Sequence, residues 1–176
     1  MDNRLRVFCE TRELLLGVDN PSPRFSWQPY GEGYRYPQYS YAVTVRANGR
    51  EVWRSGETVS ANSTSVEYGG EALQSFTEYT YSVTVTLTDG CVLYGEGSFE
   101  TGILHADEWQ GDFLAYADYK KRISPVFYTS FECKKKLLSA RAYFCGLGYG
   151  GLYVNGKKTD DSLLDPAWTD YTQGAI

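Results

Sequence analysis

The residues best suited to chemistry lie near the end of the chain. Within 155–168, Asn155, Asp160, Asp161 and Asp165 carry planar amide or carboxylate groups, and Trp168 adds a broad aromatic face. Planar polar groups bond the neighbouring hydroxyls of a sugar while an aromatic ring covers its apolar side, so these five residues form a candidate carbohydrate site. The same letters have a structural reading. Asn155-Gly156 is a hairpin-turn signal, Asp165-Pro166 a second turn, and Trp168 a core or interdomain residue.

Other constellations point to less. Gly146, Gly148 and Gly151 match the G-x-G-x-x-G spacing, but pyrophosphate binding needs a helix directly behind it, and the run from Leu152 to Gly156 reads as strand and turn. The single histidine, His105, has no cysteine or histidine neighbours for a metal and lies in a polar connection, and no G-x-S-x-G elbow is present. Hydrolysis of a glycosidic bond takes two carboxylates held across it. None of the 22 acidic residues forms a pair that stands out by context, so no catalytic residue is assigned. Asn62-Ser63-Thr64 has the form of a glycosylation sequon and reads as a turn.

The elements that must position such residues are strands. Sixteen tyrosines, four tryptophans, 18 glycines and one methionine in 176 residues favour β structure over helix. A formal net charge of −5, with one short basic cluster at 134–136, argues against nucleic acid as a partner. No window approaches the roughly 18 apolar residues of a membrane helix, and the first residues lack a secretory pattern, so a cytoplasmic protein with no membrane partner is expected. Cys9, Cys91, Cys133 and Cys145 are irregularly spaced and read as reduced, buried thiols.

Tyr79, Tyr81, Val83, Val85 and Leu87 alternate with Thr80, Ser82, Thr84 and Thr86, the period-two pattern of a half-buried strand. Tyr41, Val43 and Val45 repeat it, Asn48-Gly49 supplies a tight turn, and 51–54 is the return strand. Arg24 to Trp27, Ser65 to Tyr68 and Ser98 to Thr101 are further strands, and Asp89-Gly90 is another turn. Beyond a boundary after Leu104, strands are expected at 125–133, 136–145 and 149–155.

Two stretches carry a family resemblance. About seven strands with an early Trp27, and Leu73-Gln74-Ser75-Phe76-Thr77-Glu78-Tyr79 at a strand entry, resemble a fibronectin type III module, whose corner motif reads Leu-x-Pro-x-Thr-x-Tyr; Ser75 stands here in place of the proline. The run Asn20-Pro21-Ser22-Pro23-Arg24-Phe25-Ser26-Trp27, the segment Glu100-Thr101-Gly102 followed by Trp109, and residues 141–171 resemble the N-terminal region of bacterial α-L-rhamnosidases. The resemblance runs from about Leu14 to Tyr171. It implies an all-β chain: a fibronectin III-like antiparallel β-sandwich over 1–104, then the N-terminal part of a galactose-binding-like β-jelly-roll over 105–176. Three or four strands fit there where a jelly roll needs about eight, so 110–176 should be the weaker half.

In the enzymes that the chain resembles, terminal α-L-rhamnose is hydrolysed from glycosides by acids on a downstream α-helical barrel, which is absent here. The chain by itself is therefore expected to be inactive, with the catalytic domain as its partner and a rhamnose-containing carbohydrate as a further one. Some jelly-roll modules of the family bind rhamnose with calcium, which directs attention to Asp160 and Asp161 as metal ligands; no other cofactor is implied. Two alternatives remain: a free-standing carbohydrate-binding or adhesion protein of two β modules, and a protein-interaction module using Tyr34, Tyr36 and Tyr39.

Overall fold

The computed structural model describes residues 2–3, 5–30, 36–118 and 123–161. Contacts divide the chain into two compact units, Met1–Leu114 and Ala115–Ile176. The first is a β-sandwich. Its strands are β1 (Asp2–Asn3), β2 (Leu5–Cys9), β3 (Leu14–Val18), β4 (Arg24–Pro29), β5 (Gln38–Ala47), β6 (Arg50–Arg54), β7 (Thr58–Val59), β8 (Val66–Glu67), β9 (Glu78–Leu87) and β10 (Val92–Thr101). The larger sheet runs β1-β10-β9-β5-β6, with β3 also on β10 and β7 also on β5; the smaller runs β2-β4-β8.

Alternation decides which side chains fill the space between the sheets. Val43 and Val45 of β5 and Tyr79, Tyr81, Val83, Val85 and Leu87 of β9 point inward and are buried, as their spacing predicts. Phe25 and Trp27 enter from β4. The Phe25 ring lies 4.8 Å from that of Tyr81, and Tyr79 stacks on Phe99 at 5.1 Å, contacts worth about 0.5–1.5 kcal/mol each beyond the area they bury. The turns follow their chemistry. Asn48 and Gly49 have φ of 50° and 78°, the left-handed pair of a tight hairpin. At the next turn Asp89 Oδ1 accepts from the Cys91 N–H at 3.0 Å.

Three features go beyond the sequence expectations. The last strand begins at Val92 rather than Ser98, because Gly95 and Gly97 hide its alternation. A Cβ on Gly95 would come within 2.6 Å of the Leu5 carbonyl, and one on Gly97 within 2.7 Å of the Tyr81 hydroxyl, so close approach excludes side chains there. Strands β2 and β3 also join the sandwich. The chain lies parallel to β10 as β1, crosses to the smaller sheet as β2, and returns to β10 as β3, where Gly17 at φ 76° is skipped in the register between Leu16 and Val18. Of the four thiols, expected to be buried, only Cys9 is; Cys145 is half-buried, and Cys91 and Cys133 are exposed. Burial, with Glu10 adding to it, pushes the Cys9 thiol up to about 12.

The proline-rich run 20–27 is a locked entry to β4. Asn20 Oδ1 accepts from the Ser22 N–H at 3.0 Å, Pro23 is fully buried, and Glu10 takes Arg24 through both carboxylate oxygens. Trp27 Nε1 donates to Gln38 Oε1 at 2.9 Å, and Gln38 in turn donates to the carbonyls of Ser60 and Asn62. The Asn62 side chain bonds back to Thr64, the turn expected of that sequon.

The described part of the second unit has one hairpin, β11 (Tyr153–Val154) with β12 (Lys157–Lys158). The strands expected at 125–133 and 136–145 are not formed. Val126, Tyr128, Phe131 and Leu138 are each at least 85% exposed, so this stretch contributes no core. The physical reason is that a strand exists through its hydrogen-bonded neighbour, and alternation alone does not supply one.

Candidate functional site

The candidate sugar-binding residues fall on and after the β11–β12 hairpin. Asn155 has φ 50° and Gly156 φ 78°, so this pair forms the two-residue turn and the Asn155 side chain is exposed at its tip. Beyond β12 the Thr159 N–H donates to the Leu152 carbonyl at 3.1 Å and closes the hairpin. Asp160 is half-buried and its Oδ1 lies 3.1 Å from Lys158 Nζ, while Asp161 is exposed. Asp165 and Trp168 lie outside the described residues. Asn155 and Asp160 thus belong to one hairpin, with the turn as the evident role of Asn155 and an ion pair as that of Asp160.

An aromatic missed by the sequence reading stands beside them. Tyr153 is opposite Lys158 in the hairpin register and 62% exposed. A Cβ on Gly151 would lie 3.3 Å from the Tyr153 ring and 3.6 Å from Lys158 Cε, so the ring and the lysine stem flank the same glycine. Its signal in the sequence is its place in the strand run Leu152, Tyr153, Val154 directly before the Asn155-Gly156 turn.

Among the described residues no three of His, Cys, Asp and Glu gather as a metal site. Asp160, one of the two carboxylates considered for calcium, faces an ammonium group instead, which lowers its use as a cation ligand. Gly146, Gly148 and Gly151 are followed by the hairpin and not by a helix, in line with the rejection of a nucleotide loop. His105 is exposed, before a single 3-10 turn, Ala106–Glu108. Tyr36 and Tyr39 are each about half exposed, and Tyr34 lies outside the described residues.

The described geometry is that of an immunoglobulin-like β-sandwich protein whose polar clusters serve the fold: a tyrosine corner, a carboxylate-locked strand entry and a three-strand sheet facing a larger one. Residues 5–105 match the family model of the Rha78A-like, N-terminal immunoglobulin domain, and the chain belongs to that family. Fibronectin type III domains share this sandwich architecture. Residues 135–175 match a second model, the α-L-rhamnosidase N-terminal domain.

Curated relatives carry the same name. An α-L-rhamnosidase of Formosa agariphila is 26% identical over 97% of this chain and 21% of its own length. One of Streptomyces avermitilis is 34% identical over 63% of this chain and 12% of its own. Among solved structures, the S. avermitilis α-L-rhamnosidase complexed with L-rhamnose superposes with a TM-score of 0.55 at 33% identity, over 60% of this chain and 11% of that one. The α-L-rhamnosidase of Dictyoglumus thermophilum gives 0.56 at 24% identity, over 62% of this chain and 13% of that one, a likeness of fold. The chain spans about a fifth of the length of the first of these relatives.

Proposed function

We propose that the chain is the noncatalytic N-terminal portion of an α-L-rhamnosidase-like glycoside hydrolase, and that it supports a catalytic domain that removes terminal α-L-rhamnose from glycosides. The observation that carries this reading is the succession of two domain models, both described as N-terminal, along one chain that spans only a fifth of its relative. The uncovered Val126, Phe131 and Leu138 support it further, since apolar side chains of this kind are covered when a β module is completed by more strands. An assay of the chain with a chromogenic α-L-rhamnoside tests it. No turnover is expected, and turnover abolished by a single carboxylate substitution in this chain would overturn the noncatalytic assignment.

The finer part of the proposal is that the second unit holds sugar through Asn155, Asp160, Asp161, Asp165 and Trp168, with Tyr153 as an added stacking face. Support comes from residue chemistry and from Tyr153 standing over the same hairpin as Asp160. Calorimetric titration with L-rhamnose, with and without calcium and against L-fucose, is the test. Rhamnose-selective heat that weakens in Asp161→Ala is expected, and its absence from a folded sample would leave the supporting role alone. Binding of several sugars without selectivity would favour the free-standing carbohydrate-binding alternative.

A further inference from the structure

The position where the corner motif departs from its pattern has acquired a contact of its own. Ser75 Oγ donates to Glu108 Oε2 at 2.5 Å and accepts the Leu104 N–H at 3.0 Å. The same Glu108 oxygen accepts the His105 N–H at 3.1 Å. The corner is otherwise tied to the end of β10 by buried Thr101, whose hydroxyl accepts from the Thr77 N–H and lies 2.6 Å from the Gln74 carbonyl. A proline at 75 would have no hydroxyl and could make neither of the Ser75 contacts.

The segment those contacts hold has little else to order it. The 3-10 turn Ala106–Glu108 is three residues long and buries none of them, and a single turn does not stand alone in water. Leu104 packs partly on the core, but from His105 onward the chain is anchored through Glu108. We propose that Ser75 and Glu108 form a latch that fixes where the chain leaves the sandwich, and that the latch opens in acid. This device is independent of the proposed function. Glu108 is held below the usual carboxylate range by the Ser75 hydroxyl first and then by the His105 and Leu104 amides, and its titratable neighbour is His105 on the same turn.

Amide hydrogen exchange of the whole chain, followed by NMR and expressed as protection factors, tests the latch. At pH 7 the Leu104 and His105 amides are expected to be protected, and Ser75→Ala and Glu108→Ala to lower that protection about tenfold or more. The amides of Thr101 and Gly102, which bond to the Thr77 and Val18 carbonyls, should keep theirs. Glu108→Gln retains one carbonyl acceptor, so it should hold the latch from pH 7 to pH 3 while the native chain releases it on the way. Undiminished protection in both alanine variants would overturn the proposal, as would a loss that spreads to Thr101 and Gly102. Equal acid sensitivity of Glu108→Gln would overturn the role given to the carboxylate.

Discussion

The phenolic oxygen of Tyr79 accepts the backbone N–H of Gln74 at 2.9 Å, across the turn that feeds β9. The ring below it is buried and stacked on Phe99. One side chain therefore contributes to the core and closes the corner that precedes its own strand. Leu73, buried on the other side of that turn, completes the arrangement.

Tyr79→Phe should isolate the hydroxyl. The ring and its stacking are kept while the Gln74 amide loses its acceptor, which costs about 1 kcal/mol, the usual net value of a hydrogen bond. Urea unfolding should show a lower midpoint with an unchanged m-value. An unchanged midpoint would mean that water replaces the phenol at no cost.

Tyr81 gives the opposite expectation from the same substitution. Its hydroxyl is buried, and among the described residues it has no hydrogen-bond partner; burial holds its ionisation above the ordinary phenol range. Deleting an unsatisfied buried hydroxyl removes a desolvation penalty of about 1–3 kcal/mol while giving up little packing. Tyr81→Phe should leave the unfolding midpoint unchanged or raise it, and a clear loss of stability would reveal a partner for the hydroxyl.

Gly95 tests the close approach of the two sheets. Its added Cβ would meet the Leu5 carbonyl, Val7 Cγ1 and Leu5 Cβ, all under 3.0 Å. Backbone does not yield as a flexible side chain does, so Gly95→Ala should cost about 1–3 kcal/mol by forcing β2 away from β10. Gly49→Ala is a contrast: nothing lies within 4 Å of its Cβ, and its cost should come from the positive φ alone.

Acid should weaken the sandwich partly through Glu10. The Arg24 guanidinium bonded to it, with the Arg24 and Asn20 donors, holds this carboxylate below its ordinary value of 4.5. A group with a lowered folded-state value stabilises the fold above its unfolded value and loses that contribution as pH falls through the folded one. Stability measured by urea should therefore decline from about pH 4.5 downward. Glu10→Gln should show a shallower decline over that window and a lower stability at neutral pH.

Much of the sandwich was legible beforehand because its signals are local. Alternation over 79–87 and 41–45 and the Asn-Gly and Asp-Gly turns depend on neighbours in sequence. The structure places 79–87 and the turns as read, whereas in 41–45 Thr44 is buried alongside Val43 and Val45 and Tyr41 is only half-buried. Leu5, Val7 and Cys9 alternate equally clearly, and their strand could have been found from the same period. The candidate site was legible only as chemistry: the residue types suit a sugar, but spacing could not tell that Asp160 would turn to Lys158 or that Tyr153 would stand beside them.

What the amino-acid order determined by itself was the set of turns, the inward faces and the corner tyrosine, because backbone preference and period-two burial act over a few residues. Tertiary structure alone decided the rest. It made Gly95 and Gly97 part of a strand, since only the approach of Leu5 and Tyr81 requires their missing side chains. It turned Ser75 from a departure in a motif into the partner of Glu108, 33 residues away. It formed no strand at 125–133 or 136–145, because strand pairing is a relation between distant segments and a single segment cannot encode its partner.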